Sequence, residues 1–143
     1  MKRYIQSAAI LALFLVAFSA SSVAQGHLQD RMTVKIPFSF EIGQRTFTPG
    51  TYTVKRASQT AGVYFIQNEA TKEVGTISGT APVQAPPTIT APRLVFRGHD
   101  GQYFLNQVWT SGLTNGSELP QSRAERELGK LSSVEGTVTV AGL

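Results

Sequence analysis

From Met32 to Ile42 the chain alternates without interruption. Met32, Val34, Ile36, Phe38, Phe40 and Ile42 fall on one side; Thr33, Lys35, Pro37, Ser39 and Glu41 fall on the other. A period of two is that of a β-strand with one buried and one wet face, because successive side chains leave a sheet in opposite directions. Pro37 has no N–H to donate and lies on the wet side, which predicts an edge strand or a bulge.

Similar runs follow. Gly43-Gln44 closes the first strand, and Arg45 to Thr48 starts a short second one around Phe47. Pro49-Gly50 joins a fixed φ to a residue tolerant of positive φ, the composition of a type II turn. Thr51 to Arg56 alternates with Tyr52 and Val54 inward, and Ala57 to Ala61 is a polar loop. Val63 to Gln67 is apolar on both faces, as a central strand is. Asn68 to Lys72 turns the chain into Glu73 to Ser78, where Gly75 and Gly79 mark a bulge.

Ala81 to Pro92 contains Pro82, Pro86, Pro87 and Pro92. It reads as an extended, polyproline-like crossover between sheet regions, since neither flank alone has the apolar residues for a core. Beyond it, Arg93 to Gly98 and Gln102 to Thr110 flank His99-Asp100-Gly101, and Asp-Gly between such runs signals a tight hairpin. Phe96 and Trp109 are expected in the core. Ser111 to Leu119 reads as a loop, with the sequon Asn115-Gly116-Ser117 in a flexible turn.

One helix is predicted, over residues 122–128. Ser122-Arg123-Ala124-Glu125 is a capping box, Glu125 reaching back to the first turn; Arg123 pairs with Glu127, Leu128 docks on the sheet and Gly129 ends the helix. Val134 to Leu143 is a last strand or a loosely held tail. The expected fold is all-β: an antiparallel sandwich or partly open barrel of six to eight strands with this short helix.

The first 24 residues follow different rules. Lys2 and Arg3 precede an uncharged segment from Ile5 to Phe18, unbroken apolar from Ala8, and Ser22-Val23-Ala24 follows. A membrane-spanning helix needs roughly 20 apolar residues. The shorter run matches a secretory signal, cut after Ala24. Residues 25–143 then form a single domain with no transmembrane span, periplasmic or extracellular, large enough to bury a core. Without Lys2 and Arg3, eleven basic residues face nine acidic ones, too small a surplus to imply nucleic acid. Cysteine is absent, which excludes disulfides, a thiol nucleophile and thiolate metal sites.

Candidates for chemistry are few. Of two histidines, His27 sits just past the cut and His99 reads as a solvated turn residue beside Asp100; no metal site or cofactor is implied. Glu118, Glu125 and Glu127 cluster in sequence, and a carboxylate pair can hydrolyse a glycosidic bond. A cap and a charged helix face account for them more simply. No nucleophile elbow, phosphate loop or dinucleotide fingerprint occurs. Among the aromatics, Tyr64 and Phe65 point oppositely, as do Tyr103 and Phe104, so these four are the candidates for a ligand surface.

Phe40-Glu-Ile-Gly43 followed by Phe47-Thr-Pro-Gly-Thr-Tyr-Thr-Val54 resembles the opening of small exported β-rich proteins of unknown function found in Acidobacteria. The stretches Leu94-Val-Phe96, Tyr103 to Trp109 and Glu118 to Glu127 extend the resemblance over most of the processed chain. Those proteins usually carry Leu-Pro-Ala-Gly-x-Tyr-x-Val; here Thr48 precedes Pro49 and no Ala separates Pro49 from Gly50. The resemblance implies export and a β fold and transfers no site. Pro49-Gly-Thr-Tyr52 alone also resembles a late strand of transthyretin-like sandwiches. The sequence therefore leads to an exported, non-enzymatic binding or structural protein with an envelope glycan, lipid or protein as partner. A small hydrolase built on Glu118, Glu125 and Glu127, or a glycan- or lipid-binding sandwich, are the alternatives.

Overall fold

The alternating run that opens the domain is divided at Pro37-Phe38-Ser39. β1 (Arg31–Ile36) belongs to one sheet and β2 (Phe40–Ile42) to the other. Their inward side chains Met32, Val34, Ile36, Phe40 and Ile42 are all buried in the shared core. The period survives the crossing because both halves face the same interior, and Pro37 sits where no ladder bond is made. The computed structural model describes residues 31–57, 62–84, 91–110, 115–131 and 135–143. The expected signal peptide and His27 lie outside the described residues.

β3 (Arg45–Phe47), β4 (Gly50–Arg56), β5 (Tyr64–Asn68), β6 (Val74–Ile77), β7 (Ala81–Gln84), β8 (Arg93–His99), β9 (Gln102–Trp109), β10 (Asn115–Glu118), the helix α1 (Arg123–Leu131) and β11 (Glu135–Ala141) complete the order. A four-stranded sheet runs β1-β4-β5-β6, and a seven-stranded sheet runs β11-β8-β9-β10-β7 with β2 and β3 attached at β9. The two pack as an open sandwich, the all-β fold expected. The described residues hold eleven strand segments where six to eight are expected, because the first run divides and two predicted connections hold strands. The pairing is antiparallel except for β2, which lies parallel to β9.

Several local expectations are corrected. Gly50 does not take positive φ, so Pro49-Gly50 makes no type II turn. Gly50 instead opens β4, and the Tyr52 hydroxyl donates back to the Thr48 carbonyl to hold that corner. Gly75 lies in unbroken register opposite Ile66 and makes no bulge; a Cβ there would stand 2.5 Å from Phe47 Cζ. The register shift falls instead between Val95 and Phe96. The proline-rich crossover begins as strand β7, an edge that tolerates Pro82, while 85–90 lie outside the described residues. The supposed loop at Asn115-Gly116-Ser117 is β10, with Gly116 beneath the Trp109 ring.

Other expectations hold. His99 pairs with Gln102 across Asp100 (φ 49°) and Gly101 (φ 82°), the two positive φ values of a type I′ hairpin. Asn68 accepts from the amides of Ala70 and Thr71, building the turn into β6. β11 is a full strand along β8. The sheets share a core of Val34, Ile36, Tyr52, Val54, Tyr64, Ile66 and Ile77 against Phe40, Phe47, Leu94, Phe96, Leu105 and Val108. A buried polar bond crosses it, between the Tyr64 hydroxyl and Ser117 Oγ at 2.8 Å. Phe96 is central to this core; Trp109 is buried but lies on the other face of its sheet, with the Arg93 guanidinium 4.4 Å above its ring. Burial lowers the pKa of Arg93 from its ordinary value.

Candidate functional site

The two outer faces of the sandwich are treated differently. On the seven-stranded sheet, Arg97 and Phe104 are cross-strand partners, and His99 stands two residues along β8 from Arg97 on the same side. This face is covered by α1, which extends three residues beyond the expected helix and includes Gly129. Ser122 Oγ accepts from the Glu125 amide, so half of the capping box forms. The Glu125 carboxylate does not turn back to the cap. It enters the protein and is the buried residue of the helix, 2% exposed, whereas Ala124 is exposed and Leu128 only half-buried.

Inside, Arg97 Nε donates to Glu125 Oε1 and Arg97 Nη2 donates to Oε2 at 3.2 Å, a forked pair. Arg97 Nη1 also donates to Asn106 Oδ1 at 2.6 Å and stands 3.9 Å from Glu118 Oε1; Nη2 reaches the Leu119 carbonyl at 3.4 Å. His99, expected to be a solvated turn residue, is 0% exposed. Its Nε2 lies 3.5 Å from Glu125 Oε1 and its ring packs edge-on to Phe104.

Glu118 and Glu125 therefore do converge, as a carboxylate hydrolase requires, but they converge on a guanidinium. Arg97 engages both Glu125 oxygens, and Glu125 and His99 are shut away from water. A general acid or base must reach the substrate proton it moves; this arrangement clamps a helix to a sheet. Glu127 is directed elsewhere, pairing with Lys130 at 3.0 Å instead of Arg123. Among the described residues no group of three His, Asp or Glu side chains could hold a metal ion, and no helix is long and apolar enough to cross a membrane.

The four aromatic candidates part company. Tyr64 is in the core, Phe104 lies against His99, and Tyr103 packs on Phe38 from the inner side. Phe65 alone faces solvent, 45% exposed. It stands on the outer face of the four-stranded sheet, over which no described helix lies. Arg31, Lys55, Phe65 and Thr76 form one row straight across β1, β4, β5 and β6. Thr33, Thr53, Gln67 and Val74 form the next, and Lys35 faces Thr51 beyond them.

Sequence reasoning missed Arg97 and the true place of Glu125. A signal was present: Arg93, Arg97 and His99 punctuate a strand whose Leu94 and Phe96 already supply its inward face. Polar groups in a central strand need a covering element with complementary charge, and the helix supplies it. Compared with models of protein families, with curated proteins and with solved structures, the chain matches none.

Proposed function

We propose that the chain is exported and that its processed domain is a non-catalytic binding module, holding a ligand against the outer face of the four-stranded sheet. Export rests on Lys2-Arg3, the apolar run to Phe18 and Ser22-Val23-Ala24. The likeness to small exported acidobacterial proteins is part of the same proposal. Binding rests on one observation above all: Arg97 and Glu125 satisfy one another under α1, while the other sheet leaves Phe65 exposed between Lys55 and Thr76.

Two measurements test this. Intact mass of the protein recovered outside the cytoplasm is expected to begin at Gln25; a cytoplasmic product retaining Met1 to Ala24 defeats export. Purified processed protein is expected to co-sediment with isolated cell-envelope material, and the variant Lys55→Glu/Phe65→Ala is expected to stay in the supernatant. Equal sedimentation of both proteins defeats binding through this face.

A carboxylate hydrolase is the second reading, favoured only by the meeting of Glu118 and Glu125 at Arg97. It requires a glycosidase or esterase activity that disappears in Glu118→Ala, a variant at a half-exposed position that is expected to keep the wild-type melting temperature.

A further inference from the structure

We infer that the ligand of the four-stranded face is an anionic polysaccharide, a chain of sugar rings carrying carboxylates; this rests on the binding role proposed above. The described residues of this face carry a cationic surplus. Arg31, Lys35 and Lys55 are exposed and have no ion-pair partner among the described residues. Arg31 stands directly opposite Lys55, an arrangement of like charges that costs a sheet stability. Nearby carboxylates do not relieve it. Arg45 holds Glu73, and the Glu69 carboxylate accepts the Thr53 hydroxyl in the neighbouring row, one negative charge against three positive ones.

The row fits a sugar chain in other ways. Adjacent strands lie about 4.8 Å apart, so Phe65, Lys55 and Arg31 are spaced at a step close to one ring of an extended polysaccharide. Phe65 offers a ring face on which a pyranose can stack. Thr33, Thr51, Thr76 and Gln67 offer neutral donors and acceptors suited to hydroxyl groups. A lipid surface would require a wider apolar patch than Phe65 and Val74, the exposed large hydrophobics of this face. A nucleic acid strand would be met by several stacking aromatics in a basic groove, and this face has one.

The test uses the processed protein and polygalacturonate, with dextran as a neutral glycan, by titration calorimetry at fixed ionic strength. Binding to polygalacturonate that weakens with added salt is expected, with none to dextran. Arg31→Gln/Lys55→Gln is expected to weaken it about 10-fold and Phe65→Ala several-fold, with unchanged melting temperatures. Arg126→Gln/Lys130→Gln removes the same charge from α1 and is expected to leave affinity unchanged. Equal loss in both double variants, or no binding, overturns the inference. So does tighter binding, through the same residues, to single-stranded DNA or phosphatidylglycerol vesicles. If envelope sedimentation still depends on Lys55 and Phe65 while polygalacturonate does not bind, the ligand class is wrong and the binding face stands.

Discussion

The Glu125 carboxylate reaches from α1 to grip the Arg97 guanidinium on the outer face of the seven-stranded sheet, joined through both oxygens. An amphipathic helix ordinarily docks by an apolar stripe; this one docks by a buried charge. Of its two leucines, Leu131 is 86% exposed and Leu128 only half-buried.

Removing one partner of such a pair leaves the other charge buried and uncompensated. Glu125→Leu is expected to destabilise the domain by about 3 kcal/mol in urea unfolding, while Arg97→Met/Glu125→Leu recovers most of that loss. Hydrogen exchange of the α1 amides is expected to accelerate in the single variant before the sheets open. A single variant with wild-type stability would show that the clamp is not what holds the helix.

The sheet-to-sheet bond between Tyr64 and Ser117 lends itself to a double-mutant cycle. Tyr64→Phe and Ser117→Ala are each expected to cost about 1–2 kcal/mol, with a coupling of roughly 1 kcal/mol. Strict additivity would mean that the hydroxyls do not meet in solution.

Two close approaches and one open position make opposite forecasts for glycine. Gly75→Ala drives a methyl into Phe47 and Gly116→Ala drives one into the Trp109 ring, to which the nearest approach would be 2.6 Å. Each is expected to lose about 1–3 kcal/mol. Because Trp109 is the sole tryptophan, Gly116→Ala is also expected to shift the fluorescence maximum. Gly136→Ala meets nothing within 4 Å and needs no positive φ, so its melting temperature is expected to hold or rise slightly.

The type I′ turn offers a local check. Gly101→Val places a β-branched residue at φ 82° and is expected to destabilise the β8–β9 hairpin by over ~1 kcal/mol. Asp100→Asn, which tolerates the same conformation, is expected to be nearly neutral in thermal unfolding.

Much of this architecture is readable from residue order, and the exceptions share a cause. The alternation around Val34 and Phe40 and the Asp100-Gly101 turn are local signals, and they name their elements correctly. The split at Pro37 is invisible because the inward face is the same on both sides of the crossing. Residue order alone puts His99 in water because hairpin ends usually are, yet a helix 24 residues later in the chain folds over it. Glu125 satisfies a capping box on paper, and only the three-dimensional approach of Arg97 gives its carboxylate a stronger partner. Of the four aromatic candidates, alternation separates Tyr64 from Phe65 but not which of the two is wet. That depends on which face of the sheet the other sheet covers.

The central claim, that this domain acts through the open face of its four-stranded sheet, is tested most directly by amide chemical-shift mapping of residues 25–143 titrated with oligogalacturonate. Shifts confined to residues around Arg31, Lys55, Phe65 and Thr76, with those of Arg97, Glu118 and α1 unmoved, are the predicted result. Shifts centred on Glu118 and α1, with the β1-β4-β5-β6 face silent, would contradict it.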